Sequence, residues 1–156
     1  MKEIPLTQGK VAIVDDEDFE LLSQWKWHYS SAGYATRAIQ ANGKKRFILM
    51  HRLIMNTPVG METDHINHNG LDNRKSNMRI CTLAQNHLNI LKNKRNTSGF
   101  KGVSWEENRN AWRACIELNG KGTKLGRFKS PQDAARAYDK AARELFGEFA
   151  FTNFPD

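Results

Sequence analysis

The sequence predicts an α+β chain: a hairpin region at the start, a polar loop between short elements in the middle, and a three-stranded antiparallel sheet packed on one α-helix at the end. Three observations carry that expectation. Asn42-Gly43 and Asn119-Gly120 each interrupt runs that alternate apolar and polar, the strongest short-range hairpin signal because both residues tolerate positive φ. Ser130-Pro131 and Gly147 punctuate a segment with helical spacing. A length of 156 residues allows one ordinary domain or two very small ones, so neither half can bury a large core.

KVAIVDD near the start reads as a short strand, and DFELLSQWKWHY as a short helix beginning after Asp16, with Phe19, Leu22 and Trp25 or Lys26 near one face. YATRAIQANGKKRFILMHRLIM then reads as a hairpin running on through MHRLIM. Within it His51 is expected to be a structural, hydrogen-bonded side chain, and His28 beside Trp27 a packing residue. Residues 92–99 have the charges, Asn, Ser and Gly of a linker, placing domains at 1–91 and 100–156. Beyond it KGVSWE, AWRACIEL and TKLGRF alternate as strands do. Ser130 then caps the final helix, with Asp133 three residues on. Its apolar stripe is Ala134, Ala137, Tyr138, Ala141, Ala142 and Leu145.

Composition points to a polyanionic partner. The net charge is +7 with a pI of about 9.6, and acids gather before Arg37, so binding surface is expected after it. Only Cys81 and Cys115 are present, without a CxxC pair, which excludes a disulfide framework and a four-cysteine zinc site and suits a reducing cytoplasm. No apolar run is long enough to span a bilayer, and the first ten residues lack the apolar core of a signal peptide.

The segment TDHINHNGLDNRKSNMRICTLAQNHLN, residues 63–89, is hard to explain by packing, since every buried short polar group needs a hydrogen-bond partner. It suits phosphodiester hydrolysis, which needs a proton acceptor near neutral pH and a cation to neutralise the leaving oxygen. Asp64 and His65 supply a carboxylate and an imidazole at adjacent positions. Adjacent strand residues point oppositely, so both serve one site only where the strand ends or bends.

These residues resemble the HNH endonucleases of the phage and bacterial homing type, over about the first 90 residues of the chain. The resemblance implies a ββα-metal (His-Me finger) core at about 50–91, built from two short strands and a helix around one cation. It makes His65 the general base and matches Asn77, before Met78, to the middle position that pins the loop. Asn86 falls on the third position, so that Asp64 and Asn86 hold a divalent ion, Mg²⁺ or Mn²⁺. His87 is the rival to Asn86, and Thr82 the N-cap of that helix. The cysteine pairs of zinc-bearing relatives are absent, so no structural zinc is expected. Asp72 and Asn73 are read as holding the loop shape. Arg74, Lys75 and Arg79 are candidate phosphate contacts, with solvated surface as the alternative.

Residues 98–155 resemble the apetala-two domain of plant ethylene-response factors, through Gly102-Val103, Trp112, Ala114, Ile116, Leu125-Gly126, Phe128, AARAYDKAA, Gly147 and Asn153-Phe154. The resemblance implies a sheet laid in the major groove of double-stranded DNA. Candidate DNA contacts are Lys101, Trp105, Arg109, Arg113, Lys124 and Arg127, with Trp112 assigned to the core. Ser104, Cys115 and Glu117 stand about where plant domains carry base-reading arginines, so sequence preference must differ. The combined expectation is a metal-dependent DNA endonuclease, phage-encoded or bacterial, monomeric and nicking one strand. A DNA-binding regulator with a vestigial nuclease motif is the alternative, and an RNA-directed nuclease the third reading.

Overall fold

A computed structural model describes residues 1–89, 96–118 and 120–154. The linker expected at 92–99 therefore lies partly outside the described residues, as does Asn119. The chain divides into two compact units, Met1–Leu83 and Ala84–Asp156. Both mix helices with antiparallel sheet. Among the described residues no helix is long and apolar enough to cross a membrane.

In the first unit β1 (Lys2–Pro5) pairs antiparallel with β2 (Val11–Val14). The helix α1 (Asp16–Ser23) follows, carrying Asp16, Glu17 and Asp18 in its first turn, where the positive end of the helix dipole favours acids. It buries Leu22, whose carbonyl accepts the Trp27 indole N–H at 2.9 Å. Trp27 is thus a core residue with its polar edge satisfied. His28 at its side is exposed, against the packing role expected for it, because alternation along the strand turns it away from the core that takes Trp27.

β3 (His28–Tyr29), β4 (Ala35–Ala41) and β5 (Lys44–Leu49) form a three-stranded sheet in that order. Asn42 and Gly43 have φ of 52° and 71°, the paired positive values of a type I′ turn. The hairpin does not continue through MHRLIM. The chain leaves β5 at Leu49 and winds into a short helix, α2 (Met50–Ile54), which buries Met50 and His51 in succession. Arg52 then spans the following turn, donating to the carbonyls of Met61 at 2.8 Å and Pro58 at 3.3 Å. Ile4, Leu6, Ala12, Val14, Leu22, Trp27, Ala35 and Met50 make the core of this unit. A further ribbon, β6 (Glu62–His65) with β7 (Met78–Cys81), sets Asp64 opposite Arg79 and His65 opposite Met78.

At the unit boundary lies α3 (Leu83–Asn86), and the turn after it brings Leu88 against Ile116, Tyr138, Ala142 and Phe146. β8 (Val103–Glu106), β9 (Ala111–Leu118) and β10 (Lys121–Phe128) form an antiparallel meander with an irregularity between Lys124 and Gly126. The helix α4 (Pro131–Phe146) covers one face. Ser130 Oγ accepts the Asp133 amide at 3.1 Å and donates to its carboxylate at 2.7 Å, which fixes the helix start.

The buried face of α4 is Ala134, Ala135, Tyr138, Asp139, Ala142 and Phe146. Leu145, expected in the stripe, is half exposed, and Phe146 takes its place because the last turn meets the sheet one residue further round. Gly102 shows how close that packing is. Its φ is +74°, and a Cβ there would stand 2.0 Å from Tyr138 Cδ2. Only glycine lets the strand entry lie against the tyrosine ring.

Asp139 is a buried acid inside the apolar stripe. Its Oδ1 accepts from Asn153 N at 2.8 Å and Asn153 Nδ2 at 2.9 Å, while Oδ2 accepts the Phe154 amide at 2.9 Å. Asn153 in turn accepts the Lys101 amide at 2.6 Å and donates to the Lys101 carbonyl at 3.1 Å. The C-terminal segment is thereby stitched to both helix and strand.

Candidate functional site

The loop between β6 and β7 is held by its own short polar side chains. Asn67 Oδ1 accepts the Asn69 amide at 2.9 Å, and Asn69 Oδ1 the Leu71 amide at 3.1 Å, two turns of the kind Asn favours. Asn77 ties the two ends together. Its Oδ1 accepts the Asn67 amide at 3.1 Å, and its Nδ2 donates to Asn67 Oδ1 at 3.0 Å and to the Asp72 carbonyl at 2.8 Å. The far side is anchored to β2 through Ile13, which donates to the Leu71 carbonyl and accepts the Asn73 amide, each at 2.8 Å. The polar residues that no core would want are thus spent on one rigid loop.

His65 ends β6 at the edge of this loop, 6% exposed. Its Nε2 lies 3.2 Å from Asn73 Oδ1, and Asn73 is fully buried. Tyr34 stacks on the His65 ring at 5.8 Å between centroids, and His51 meets it edge-on at 5.0 Å. Gly70 allows the tyrosine in: a Cβ on it would stand 2.6 Å from Tyr34 Cδ1. Burial pushes the His65 pKa below its ordinary value, against the opposing pull of Asn73, Asp64 and Asp72. The ring is therefore neutral at pH 7, the form able to accept a proton. Burial, with smaller contributions from His65 and Arg52, pushes His51 down to about 3. His51 Nδ1 is buried with no hydrogen-bond partner among the described residues, so the bonded structural role expected for it is not what is seen.

Asp64, 5% exposed, takes both Nε and Nη2 of Arg79 on its Oδ2, at 2.9 and 2.7 Å. Arg79, a sequence candidate for phosphate, is thus the cross-strand counter-ion of the candidate metal carboxylate. Arg74 forks onto Asp72 at 2.7 and 2.6 Å, which holds the Asp72 carboxyl below its usual range. Lys75 Nζ reaches Glu17 at 2.5 Å and Asp18 at 3.2 Å, and its amide donates to Asp15 at 2.8 Å. The acidic run at 15–20 thereby braces the loop.

Asn86 ends α3, half buried, and falls in the second unit. Its neighbour His87 is exposed. Among the described residues no three or more His, Cys, Asp or Glu side chains converge as a ligand cage. A carboxylate and an amide are hard oxygen donors. Donors of that type suit a hard divalent cation that keeps several waters better than a soft metal.

In the second unit the sheet face away from α4 carries Ser104, Glu106, Arg113, Cys115, Glu117, Lys124 and Arg127, by alternation from the buried Val103, Ala114 and Ile116. Ser104, Arg113 and Arg127 stand in one row across the three strands. Glu106 gathers the arginines: Arg127 Nε bonds its Oε2, and Arg113 Nη1 lies 4.0 Å from its Oε1. Arg109 sits in the exposed turn before β9. Trp105 packs edge-on to Trp112 at 5.1 Å and donates to Glu107 at 2.8 Å. Trp112 itself packs on the core. Lys101 is partly withdrawn. Its Nζ donates to the Leu88 carbonyl at 3.0 Å, and burial pushes its pKa down to about 8.

Sequence reasoning missed Tyr34 and His51 as neighbours of His65, and Glu106 as the hub of the sheet arginines. Tyr34 left no signal at all. His51 could have been flagged as a histidine in an otherwise apolar run, and Glu106 as an acid among basic strand residues.

The sequence model of the AP2 domain family matches residues 98–148. An uncharacterised HNH endonuclease of Acanthamoeba polyphaga mimivirus is 32% identical over 147 residues, covering 94% of this chain and 76% of that protein. Protein 3.8 of Escherichia phage T7 is 36% identical over 93 residues, 60% of this chain and 76% of its own length. Ethylene-responsive transcription factor 3 of Nicotiana tabacum is 68% identical over 31 residues, 20% of this chain but only 14% of that factor. No solved structure matches. The chain belongs to the HNH endonuclease family and carries an AP2 domain.

Proposed function

We propose that this chain is a metal-dependent DNA endonuclease that nicks duplex DNA, with residues 1–91 as the nuclease, 92–99 as a linker and 100–156 as the DNA-binding domain. The single observation that carries this reading is a buried His65 next to Asp64 on a strand end braced by Asn77 and Asn73.

In this reading the segment around β6, β7 and α3 is the ββα-metal core. His65 takes a proton from the attacking water, and its neutral state at pH 7 suits that task. Asp64 and Asn86 would hold the divalent cation, which supplies charge neutralisation at the scissile phosphate when bound. Asn77 keeps the loop in shape and Arg79 orients the Asp64 carboxylate. Arg74 and Lys75, which stay 37% and 43% exposed, provide phosphate contacts. Arg109, Arg113, Lys124 and Arg127, with Trp105 and Lys101 at the border, form the DNA-facing surface of the second unit. Linking a weak cutter to a binding module raises its effective concentration at the DNA.

The test is incubation of the full chain with supercoiled plasmid in Mg²⁺, in Mn²⁺ and in chelator. Open-circle product that requires either metal supports the proposal. Salt-sensitive duplex binding with no cleavage in any metal supports the DNA-binding regulator instead.

A further inference from the structure

The hydrogen bonds of Asn73 decide which nitrogen of His65 bears its proton. One end of the Asn73 amide lies 3.3 Å from the Leu71 carbonyl and 3.6 Å from Met50 Sδ. A carbonyl oxygen only accepts, so the atom facing it is Nδ2 and donates. The other end, Oδ1, therefore faces His65 Nε2 at 3.2 Å. That oxygen carries no hydrogen, so Nε2 must donate. A neutral imidazole has one N–H, which leaves the lone pair on Nδ1.

The amide cannot turn over to reverse this. Asn73 is 0% exposed, and its own backbone N–H is committed to the Ile13 carbonyl at 2.8 Å. A flipped amide would set its oxygen against the Leu71 carbonyl oxygen, two acceptors with no hydrogen between them, and would leave that buried carbonyl without the Asn73 donor. The ring is also held in plane, by Tyr34 on its face and His51 at its edge.

We infer that Asn73 is a positioning residue that locks His65 in the Nε2–H tautomer and makes Nδ1 the nitrogen that receives the proton from water. This rests on His65 being the base, and it adds the atom and the residue that selects it. A neutral amide suits this purpose: it fixes the tautomer without adding a negative charge close to the incoming phosphate.

The experiment is ¹⁵N NMR of the full-length protein labelled at its five histidines, at neutral pH, without metal or DNA, with the His65 signals assigned by their loss in His65→Gln. The expected result is a pyrrole-type Nε2 and a pyridine-type Nδ1 at His65. The opposite pattern, or a mixture of both tautomers, overturns the inference without recourse to any variant at position 73. In Asn73→Ala the two tautomers should mix and single-turnover cleavage should fall by about 10- to 100-fold, with duplex affinity unchanged. Asn73→Asp, which keeps an acceptor, should retain the Nε2–H form. A single tautomer and undiminished cleavage in Asn73→Ala also refute it. Full cleavage by His65→Ala would remove the base role itself while leaving the tautomer assignment standing, so the two failures are distinguishable.

Discussion

Acid should destabilise the first unit through His51, and removing that side chain should relieve much of the effect. His51 is 5% exposed, and its folded pKa is about 3 against an ordinary 6.5. Because the folded value is the depressed one, the unfolded chain binds the proton first as pH falls. Stability is therefore complete above about pH 6.5 and drains away between there and pH 3. The slope approaches one proton, about 1.4 kcal/mol per pH unit, so moving from pH 7 to pH 4.5 costs roughly 2–3 kcal/mol from this residue alone. His51→Leu replaces the imidazole by an apolar group of similar size beside Met50 and Tyr34. Urea unfolding followed by tryptophan fluorescence at both pH values gives the comparison. The stability difference between pH 7 and pH 4.5 should shrink by that amount in the variant. An unchanged difference would refute the assignment of a buried neutral His51.

Three further outcomes follow from the geometry. Asp139→Ala removes the acceptor of three N–H bonds in a buried site and should cost the second unit about 3 kcal/mol, with hydrogen exchange speeding up at Lys101 and 153–154. Glu106→Ala frees Arg113 and Arg127, so random-sequence duplex should bind more tightly and with a steeper salt dependence, read by fluorescence anisotropy from 50 to 200 mM salt, roughly the range over which phosphate contacts report. A single site in a monomer should convert supercoiled plasmid to open circle before any linear form, visible on a gel time course.

The legible parts of the fold were those with local causes. Asn42-Gly43 demanded a type I′ turn, and Ser130, Pro131 and Asp133 fixed the start of α4, because turn and cap chemistry act within a few residues. MHRLIM follows the strand residues of β5 without a turn signal, so the sequence reads it as more hairpin, and nothing local shows that Met50 and His51 are buried one after the other. That depends on β1, β2 and α1, which supply the core around Met50. Leu145 and Phe146 differ by a fraction of a helical turn, and only the sheet decides between them.

The site divides the same way. Asp64, His65 and the Asn-rich loop stood out because short polar groups at that density have no packing explanation. The partners that set their chemistry come from afar in sequence: Tyr34 from the chain before β4, His51 from α2, Ile13 from β2. The cationic candidates looked alike in sequence, yet contacts separate them. Arg79 is committed to Asp64 and Lys101 to a carbonyl, while Arg109 and Lys124 stay exposed.

The central claim, that His65 performs the chemical step rather than holding DNA or the fold, is tested most directly by His65→Ala, with cleavage and duplex binding measured on the same preparation. Cleavage should fall by about 10²- to 10⁴-fold while the dissociation constant for duplex stays within about twofold. A variant that still cuts at the wild-type rate, or that loses binding and cutting together, would contradict it.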